Sequence, residues 1–442
     1  MAESIHPQHG FASSARTLLV FPKAFEQNTV PPLGISLLAA CLQEAHHEVD
    51  LLDLTVQSLP RLDYSQYCLA GMTLLCTNFP SGTELARRIR QANDSICIAA
   101  GGPFAAACPK DVLDTGVFDV VIHGEGEQVI PALVSAVKNN EDFASVAGIT
   151  FIRDGQVIST PNVPMIESLD ALPFPAYELL PMKKYPRHSI MASRGCPFAC
   201  IFCDRGPSES RKMRYLSPER VLDWANRMIG DYGYKPIRIL DSTFTLNQQW
   251  AEQICDLFIE SQLGLRWHCQ SRIDCVNPRL LKKMLDSRCT QFVAGVDSGN
   301  DEVLRLSKKS LTKADARRYA KLFQDGPAPP LHVNFVIGHP WDTLESIQET
   351  VEFADELVAE FGAECGFYMM VPFPGTELWN NAPTYEIEIT KDWQKYVKLS
   401  FMGNPERLSA TFSSKYLRAE DITRVYHQIF RRKRPTARLR RY

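Results

Sequence analysis

The 442-residue chain lacks any apolar run of about 18 residues or more, so no membrane-spanning helix is expected. Residues 1–16 hold no apolar stretch of the signal-peptide kind, so export is not expected and a cytoplasmic location is. Glycine (24) and proline (29) are near average and aperiodic, which excludes collagen-like and low-complexity scaffolds. Charge of one sign is also missing: 48 Lys+Arg stand against 51 Asp+Glu, a formal net charge of −3. What is present, 45% hydrophobic and 22% charged residues, suits a folded globular protein and excludes a disordered one. Thirteen cysteines is an odd number in a chain with no secretion signal. That argues for reduced thiols, some of them metal ligands, and against a disulfide framework. Ten of them are scattered singly and read as small buried apolar residues.

The charge is unevenly placed. Residues 431–442 hold seven basic side chains, and without them the chain has 41 basic against 51 acidic. A basic tail can bind nucleic acid, but on an acidic body the preferred reading is a frayed, solvated terminus, and nucleic acid is not expected as a partner.

Residues 17–139 alternate short apolar runs (17–22, 48–54, 68–75, 95–100, 117–123) with amphipathic stretches (33–46, 81–91, 127–138). This pattern predicts a doubly wound parallel sheet with helices on both faces. Ligands of such sheets lie outside the carboxyl ends of the strands. Those ends carry Gly101-Gly102-Pro103 and Gly124-Glu125-Gly126-Glu127. A hairpin-like segment (149–159) and a Pro-rich stretch follow, with Pro161, Pro164, Pro173, Pro175, Pro181 and Pro186 reading as an ordered strap. A second α/β block has six strand candidates (189–193, 237–241, 266–271, 291–296, 332–337, 365–371). Helical segments separate them (217–231, 247–260, 279–286, 312–324, 343–361). Six β/α units suggest a partial barrel with its site at the carboxyl strand ends. From about Phe373 the chain reads as irregular up to a terminal helix near 418–432, and there is no internal repeat. The expected division is a tail (1–14), a first α/β domain (15–145), hairpin and linker (146–186), a partial (β/α)6 TIM-type barrel (187–375) and a C-terminal extension (376–442).

Cys196, Cys200 and Cys203 form a C-x3-C-x2-C loop directly after the first strand of the second block. Three thiolates on one short loop can hold three corners of an iron–sulfur cube, which normally takes four, leaving one iron open. Zinc is the alternative for soft thiolates, though a structural zinc site wants four ligands and no second cysteine pair is present. A purely structural cysteine loop is the other.

At these residues the chain resembles the radical S-adenosylmethionine (SAM) superfamily, whose defining motif is this loop. The resemblance implies that Cys196, Cys200 and Cys203 ligate a [4Fe–4S] cluster. SAM would bind the open iron, and one electron would release a 5′-deoxyadenosyl radical. A sulfonium needs a strongly reducing donor, and iron–sulfur potentials reach about −700 mV. Phe202 matches the aromatic that packs near the adenine. Leu240-Asp241-Ser242-Thr243-Phe244 resembles the second-strand motif, with Asp241 toward the SAM amino group. Gln270-Ser271-Arg272-Ile273-Asp274 resembles the third-strand segment, with Ser271 and Arg272 facing SAM. Gly295-Val296-Asp297-Ser298-Gly299 resembles a G-x-E-S-G motif, with Asp297 and Ser298 at the ribose and carboxylate and Asp where Glu is usual. Gly338 lies in a matching glycine-containing strand end. Taken singly, an acid or Ser at a strand end is often only a helix cap.

The first block resembles the cobalamin-binding domain fused ahead of that barrel in the B12-binding class. The matching residues are Pro31-Pro32-Leu33-Gly34, residues 46–53, Gly101-Gly102-Pro103 and Gly124-Glu125-Gly126-Glu127, with the linker 169–177. The implied cobalamin contacts are Pro32, Gly34, Thr73, Thr77, Gly101, Gly102, Gly124, Glu125, Gly126 and Glu127. No D-x-H-x-x-G motif is present, which matches the habit of this class of binding cobalamin without a protein histidine. A domain that keeps the fold without the cofactor is the alternative, because Gly-rich turns are generic. Methylthiotransferases, with a second cluster on N-terminal cysteines, fit poorly: the surroundings of Cys41, Cys76 and Cys108 do not match their motifs.

The resemblance implies an enzyme that methylates an unactivated carbon, or phosphorus, of a small-molecule intermediate. It would use the adenosyl radical and methylcobalamin, with an external one-electron reductant of flavodoxin or ferredoxin type. Radical cyclisation, rearrangement or non-methyl alkyl transfer is the alternative within enzymes. A non-catalytic cobalamin- or metal-binding protein is the alternative outside them.

Overall fold

The computed structural model describes residues 16–24, 29–203, 211–397 and 407–432. The chain forms two compact units, one of residues 1–197 and 204–242, the other of 198–203 and 243–442.

The first unit begins with β1 (Arg16–Phe21), α1 (Leu33–Glu44), β2 (Glu48–Asp53), β3 (Tyr67–Thr73), α2 (Phe79–Ala92) and β4 (Cys97–Gly101). The short helices α3 (Pro103–Ala107) and α4 (Pro109–Leu113) follow, then β5 (Val120–Ile122) and α5 (Gly126–Asn139). β6 (Ile149–Arg153) and β7 (Gln156–Ser159) complete a seven-stranded sheet of order β2-β1-β3-β4-β5-β6-β7. The first five strands are parallel and the last two pair antiparallel. Leu18, Val20, Leu69, Ala70, Ile98, Ala100, Val120 and Val121 are wholly buried. Continuous apolar runs are what a strand covered on both faces requires. The expected hairpin forms as β6–β7, turning at Asp154 (φ 50°) and Gly155 (φ 72°).

The Pro-rich strap crosses this domain in short 3₁₀ turns and is tied down by polar bonds. Ala176 N–H donates to Ser36 O (3.0 Å). Tyr185, fully buried, donates its hydroxyl to Asp53 (2.8 Å). The same unit holds the parallel pair β8 (His188–Ile190) and β11 (Ile237–Ile239), linked through α6 (Pro218–Tyr232). It also holds the antiparallel pair β9 (Ser193–Arg194) and β10 (Arg214–Tyr215). The single strand expected over 189–193 is thus two short ones.

The second unit carries four parallel strands, β12 (Trp267–Arg272), β13 (Cys289–Asp297), β14 (Leu331–Ile337) and β15 (Glu364–Met369). Its helices are α7 (Gln248–Glu260), α8 (Pro278–Asp286), α9 (Asp301–Leu306), α10 (Lys313–Asp325) and α11 (Leu344–Phe361). Two parallel strands in the first unit and four in the second stand at the six places where strands were expected. Asn247, Asn277, Thr312 and Thr343 cap their helices with side-chain oxygens, which explains why these helices begin where polar residues stand. The stretch expected to be irregular contains α12 (Glu377–Asn380), the antiparallel pair β16 (Ile387–Ile389) and β17 (Phe412–Ser414), and α13 (Trp393–Tyr396). The terminal helix α14 (Ala419–Arg432) follows. The basic tail beyond residue 432 lies outside the described residues. Among the described residues no helix is long and apolar enough to cross a membrane, and none of the thirteen cysteines is in a disulfide.

Candidate functional site

In the first unit the cysteine loop is launched from a firmly held strand end. Asp241, buried after β11, accepts from Ala192 N–H (2.7 Å) and Ser193 Oγ (2.6 Å). Both oxygens of the residue expected to meet the SAM amino group therefore also hold the chain that leads to Cys196. Arg194 follows, then Gly195 at φ 100°, a left-handed turn that glycine makes without strain, then buried Cys196.

In the second unit Cys200 is half-buried and Cys203 exposed. Among the described residues no three His, Cys, Asp or Glu side chains converge on a single ion. A cube spreads its ligands over separate irons, so three thiols serving one do not crowd a point. The environment of Cys200 is cationic. Burial pushes the Lys309 amine down, but the charges of Asp297 and Cys200 outweigh it and hold its pKa above the usual lysine value. Arg272 is likewise raised, its burial outweighed by Asp274 and by Cys200. Lys309 pairs with Asp297 at 2.5 Å, both nearly buried. Arg272 holds Asp274 with two nitrogens (2.9 and 2.7 Å) and donates to Lys309 O (2.7 Å), its guanidinium 3.9 Å from the Phe198 ring centre. Two buried cations beside a cysteine fit an anionic thiolate cluster.

The other expected SAM contacts sit at strand ends of this unit. Ser271 Oγ lies 2.7 Å from Thr245 Oγ1. Asp297, at φ 75°, ends a bulged β13. Asp tolerates this left-handed backbone better than most side chains, which gives the departure from Glu a local cause. Ser298 Oγ lies 3.3 Å from Thr350 Oγ1. Gly338 N–H donates to Asp342 (2.9 Å), as does His339 N–H (2.8 Å). Burial pushes the Asp342 carboxyl above its usual range. The Phe202 ring meets His339 edge-on at 5.3 Å.

The expected cobalamin contacts all lie at carboxyl ends of parallel strands of the seven-stranded sheet. Pro32 and Gly34 begin α1 after β1, Thr73 ends β3 and Thr77 follows it, so these flank the point where strand order reverses. Gly101 ends β4 and Gly102 follows it, and Gly124–Glu127 follow β5. A Cβ on Gly34 or Gly124 would meet nothing within 4 Å, whereas one on Gly102 would come 3.0 Å from Leu74 O. Gly126 packs closely on Leu38, 3.1 Å from where its Cβ would be. The neighbouring His123 has a buried Nε2 with no hydrogen-bond partner. Open space over glycines and an unpartnered ring nitrogen fit a large ligand that approaches the backbone closely.

Glu125 and Glu127 carry ion pairs within the first unit. Glu125 is gripped by Arg214 (2.8 and 2.9 Å), Arg194 (2.9 Å) and Ile166 N–H (2.7 Å). Burial pushes its carboxyl up, and these bonds outweigh it and hold the pKa low. Glu127 accepts from Arg194. Arg194, Arg214, Lys309, His339 and Asp342 were not singled out from the sequence. The one signal available was the place of Arg194 two residues before the first cysteine of the loop.

Two sequence profiles match: the radical SAM superfamily over residues 190–354 and the B12 binding domain over 27–134. An uncharacterized methyltransferase of Pyrococcus horikoshii is 30% identical over 431 residues, covering 92% of each chain. An anaerobic magnesium-protoporphyrin IX monomethyl ester cyclase of Synechocystis is 27% identical, covering 65% of this chain and 60% of its own. In fold, the chain is similar to the radical SAM methyltransferase TsrM of Kitasatospora setae, solved with cobalamin and a [4Fe–4S] cluster bound. The TM-score is 0.72 at 17% identity, covering 86% of this chain and 78% of that one.

Proposed function

Because the chain belongs to the B12-binding radical SAM family, we propose that it is a cobalamin-dependent methyltransferase. Its target would be an unactivated carbon or phosphorus of a small molecule. The observation that carries this reading is the pairing of a three-cysteine loop, flanked by buried cations, with an open glycine-lined sheet edge in the B12 binding domain. When bound, the cluster supplies one electron, and SAM and cobalamin supply the radical precursor and the methyl group.

The chain's own residues do the holding. Cys196, Cys200 and Cys203 are the cluster ligands in this proposal. Asp241 fixes the strand end that presents Cys196. Lys309 and Arg272 offset negative charge around Cys200 and keep it stable away from water. Asp297, Ser298, Ser271, Phe202 and Gly338 line the SAM side. Pro32, Gly34, Thr73, Thr77, Gly101, Gly102 and Gly124–Glu127 receive the corrinoid. A flavodoxin- or ferredoxin-type protein would deliver the electron in a reducing cytoplasm, in keeping with thirteen cysteines outside disulfides. The division by function, a cobalamin-binding region of 15–145 and a radical SAM region of 187–375, is part of the same proposal, while the compact units divide the chain differently.

Anaerobic reconstitution tests it. The wild type should hold close to four irons and release 5′-deoxyadenosine or S-adenosylhomocysteine from SAM. Cys196→Ala, Cys200→Ala and Cys203→Ala should each lose both. Unchanged iron and turnover in any of the three would refute the ligand assignment. The likeness to the cyclase makes radical ring closure the second reading. Methyl-labelled SAM separates the two, since label enters the product only in methyl transfer.

A further inference from the structure

The proposed function gives work to two segments of the first unit, the start of the cysteine loop, residues 195–197 after β9, and the Gly124–Glu127 turn after β5. A buried cluster of four charges joins them. Arg194 stands two residues before Cys196. Its Nη1 donates to Glu125 Oε1 (2.9 Å), its Nη2 to Glu127, and its Nε reaches Met191 Sδ (3.2 Å). Arg214, its register partner on β10, clamps Glu125 from the other side. The four side chains are only 3–13% exposed.

Such a cluster is a poor device for stability alone. Desolvating four charges costs about what their attraction returns, and apolar residues of equal volume serve as well. What an ionic cluster does better is fix register. Here the register fixed is that of the cysteine loop, because residues 192–194 are held by Asp241 on one side and by Glu125 and Glu127 on the other. From that grip one glycine leads to Cys196.

We propose that Arg194 is a positioning residue that couples occupancy of the corrinoid loop to occupancy of the cysteine loop. A corrinoid seated on Gly124–Glu127 holds Glu125 and Glu127 in place, and through Arg194 it orders the segment that presents Cys196. Cluster loading orders the same segment from the other end. Whichever ligand comes first carries the cost of ordering, so the second binds more tightly. The coupling rests on the proposed function for the identity of the two ligands.

The test measures binding, not turnover. Hydroxocobalamin is titrated by absorbance into the anaerobic full-length protein, with and without its reconstituted cluster. The cluster-loaded wild type should bind about tenfold more tightly, within the roughly 5–150-fold range of site-to-site coupling. In Arg194→Gln the two affinities should converge to within about twofold. Loss of a direct corrinoid contact would weaken both forms alike and leave their ratio intact. If Arg194→Gln does not fold, Arg194→Lys keeps the cation and loses part of the fork, and its ratio should be intermediate. Equal affinities in the two wild-type forms, or a ratio preserved in Arg194→Gln and Arg194→Lys, would overturn the coupling alone. A wild type that binds no cobalamin would overturn the proposed function and the coupling with it.

Discussion

Lys309 shows how much a single side chain here depends on its partner. With Asp297 it forms an ion pair in which the two side chains are 7% and 10% exposed. Removing the lysine strands a carboxylate away from water, which costs about 3–5 kcal/mol, whereas removing both charges is nearly neutral. Lys309→Met should therefore lower the urea midpoint strongly, and Lys309→Met with Asp297→Asn should recover most of the loss. Asn suits the left-handed backbone at 297 as Asp does. A single variant as stable as wild type would show that the pair is solvated. At this scale the cysteine triad was legible because its meaning lies in local spacing. Lys309 and Arg194 were not, because their roles depend on partners elsewhere in the chain: Arg194 and Glu125 are 69 residues apart. Asp241 was legible as a strand-end acid but not as the acceptor that holds Ala192 and Ser193.

Among the elements, α11 is built against the loop at the end of β13. Gly299 N–H donates to Thr350 Oγ1 (2.9 Å), and a Cβ on Gly299 would lie 2.6 Å from Thr350 Cα and 2.9 Å from Glu349 O. Backbone atoms of a helix cannot step aside singly, so Gly299→Ala should cost about 1–3 kcal/mol by overpacking. Gly230 in α6 is the opposite case: it is helical, and a Cβ there meets nothing within 4 Å. Gly230→Ala should gain up to about 1 kcal/mol. Paired thermal melts check both, and equal melting temperatures for the two variants would contradict the packing described. The helices with strong caps were legible from the sequence, since Ser217, Asn247, Thr312 and Thr343 announce their starts. The pieces after Phe373 were not, because α12, α13, β16 and β17 span only three or four residues each and are too short to show a period.

At the scale of the whole molecule, the two compact units do not follow chain order, since the unit holding the seven-stranded sheet also holds β8, α6 and β11. A break at the end of the Pro-rich strap therefore cuts through a folded unit. A fragment of residues 187–442 should lack a cooperative urea transition and near-UV dichroism, while the full chain shows both. A fragment with a full-size, cooperative transition would mean that those segments fold without the N-terminal sheet. The two-block α/β pattern was legible because strand–helix alternation is written locally. The division into units was not, because the segments after the strap are tied to the first sheet by contacts such as Arg214 with Glu125, 89 residues apart. The grip on Arg194 also has a direction in time. A ribosome releases the N-terminal sheet first, so the carboxylates of the Gly124–Glu127 turn emerge well ahead of the guanidinium they receive. The growing polypeptide thus carries an anionic socket in advance, and the cysteine-bearing segment can dock as it leaves the exit tunnel, before most of the second unit has been made.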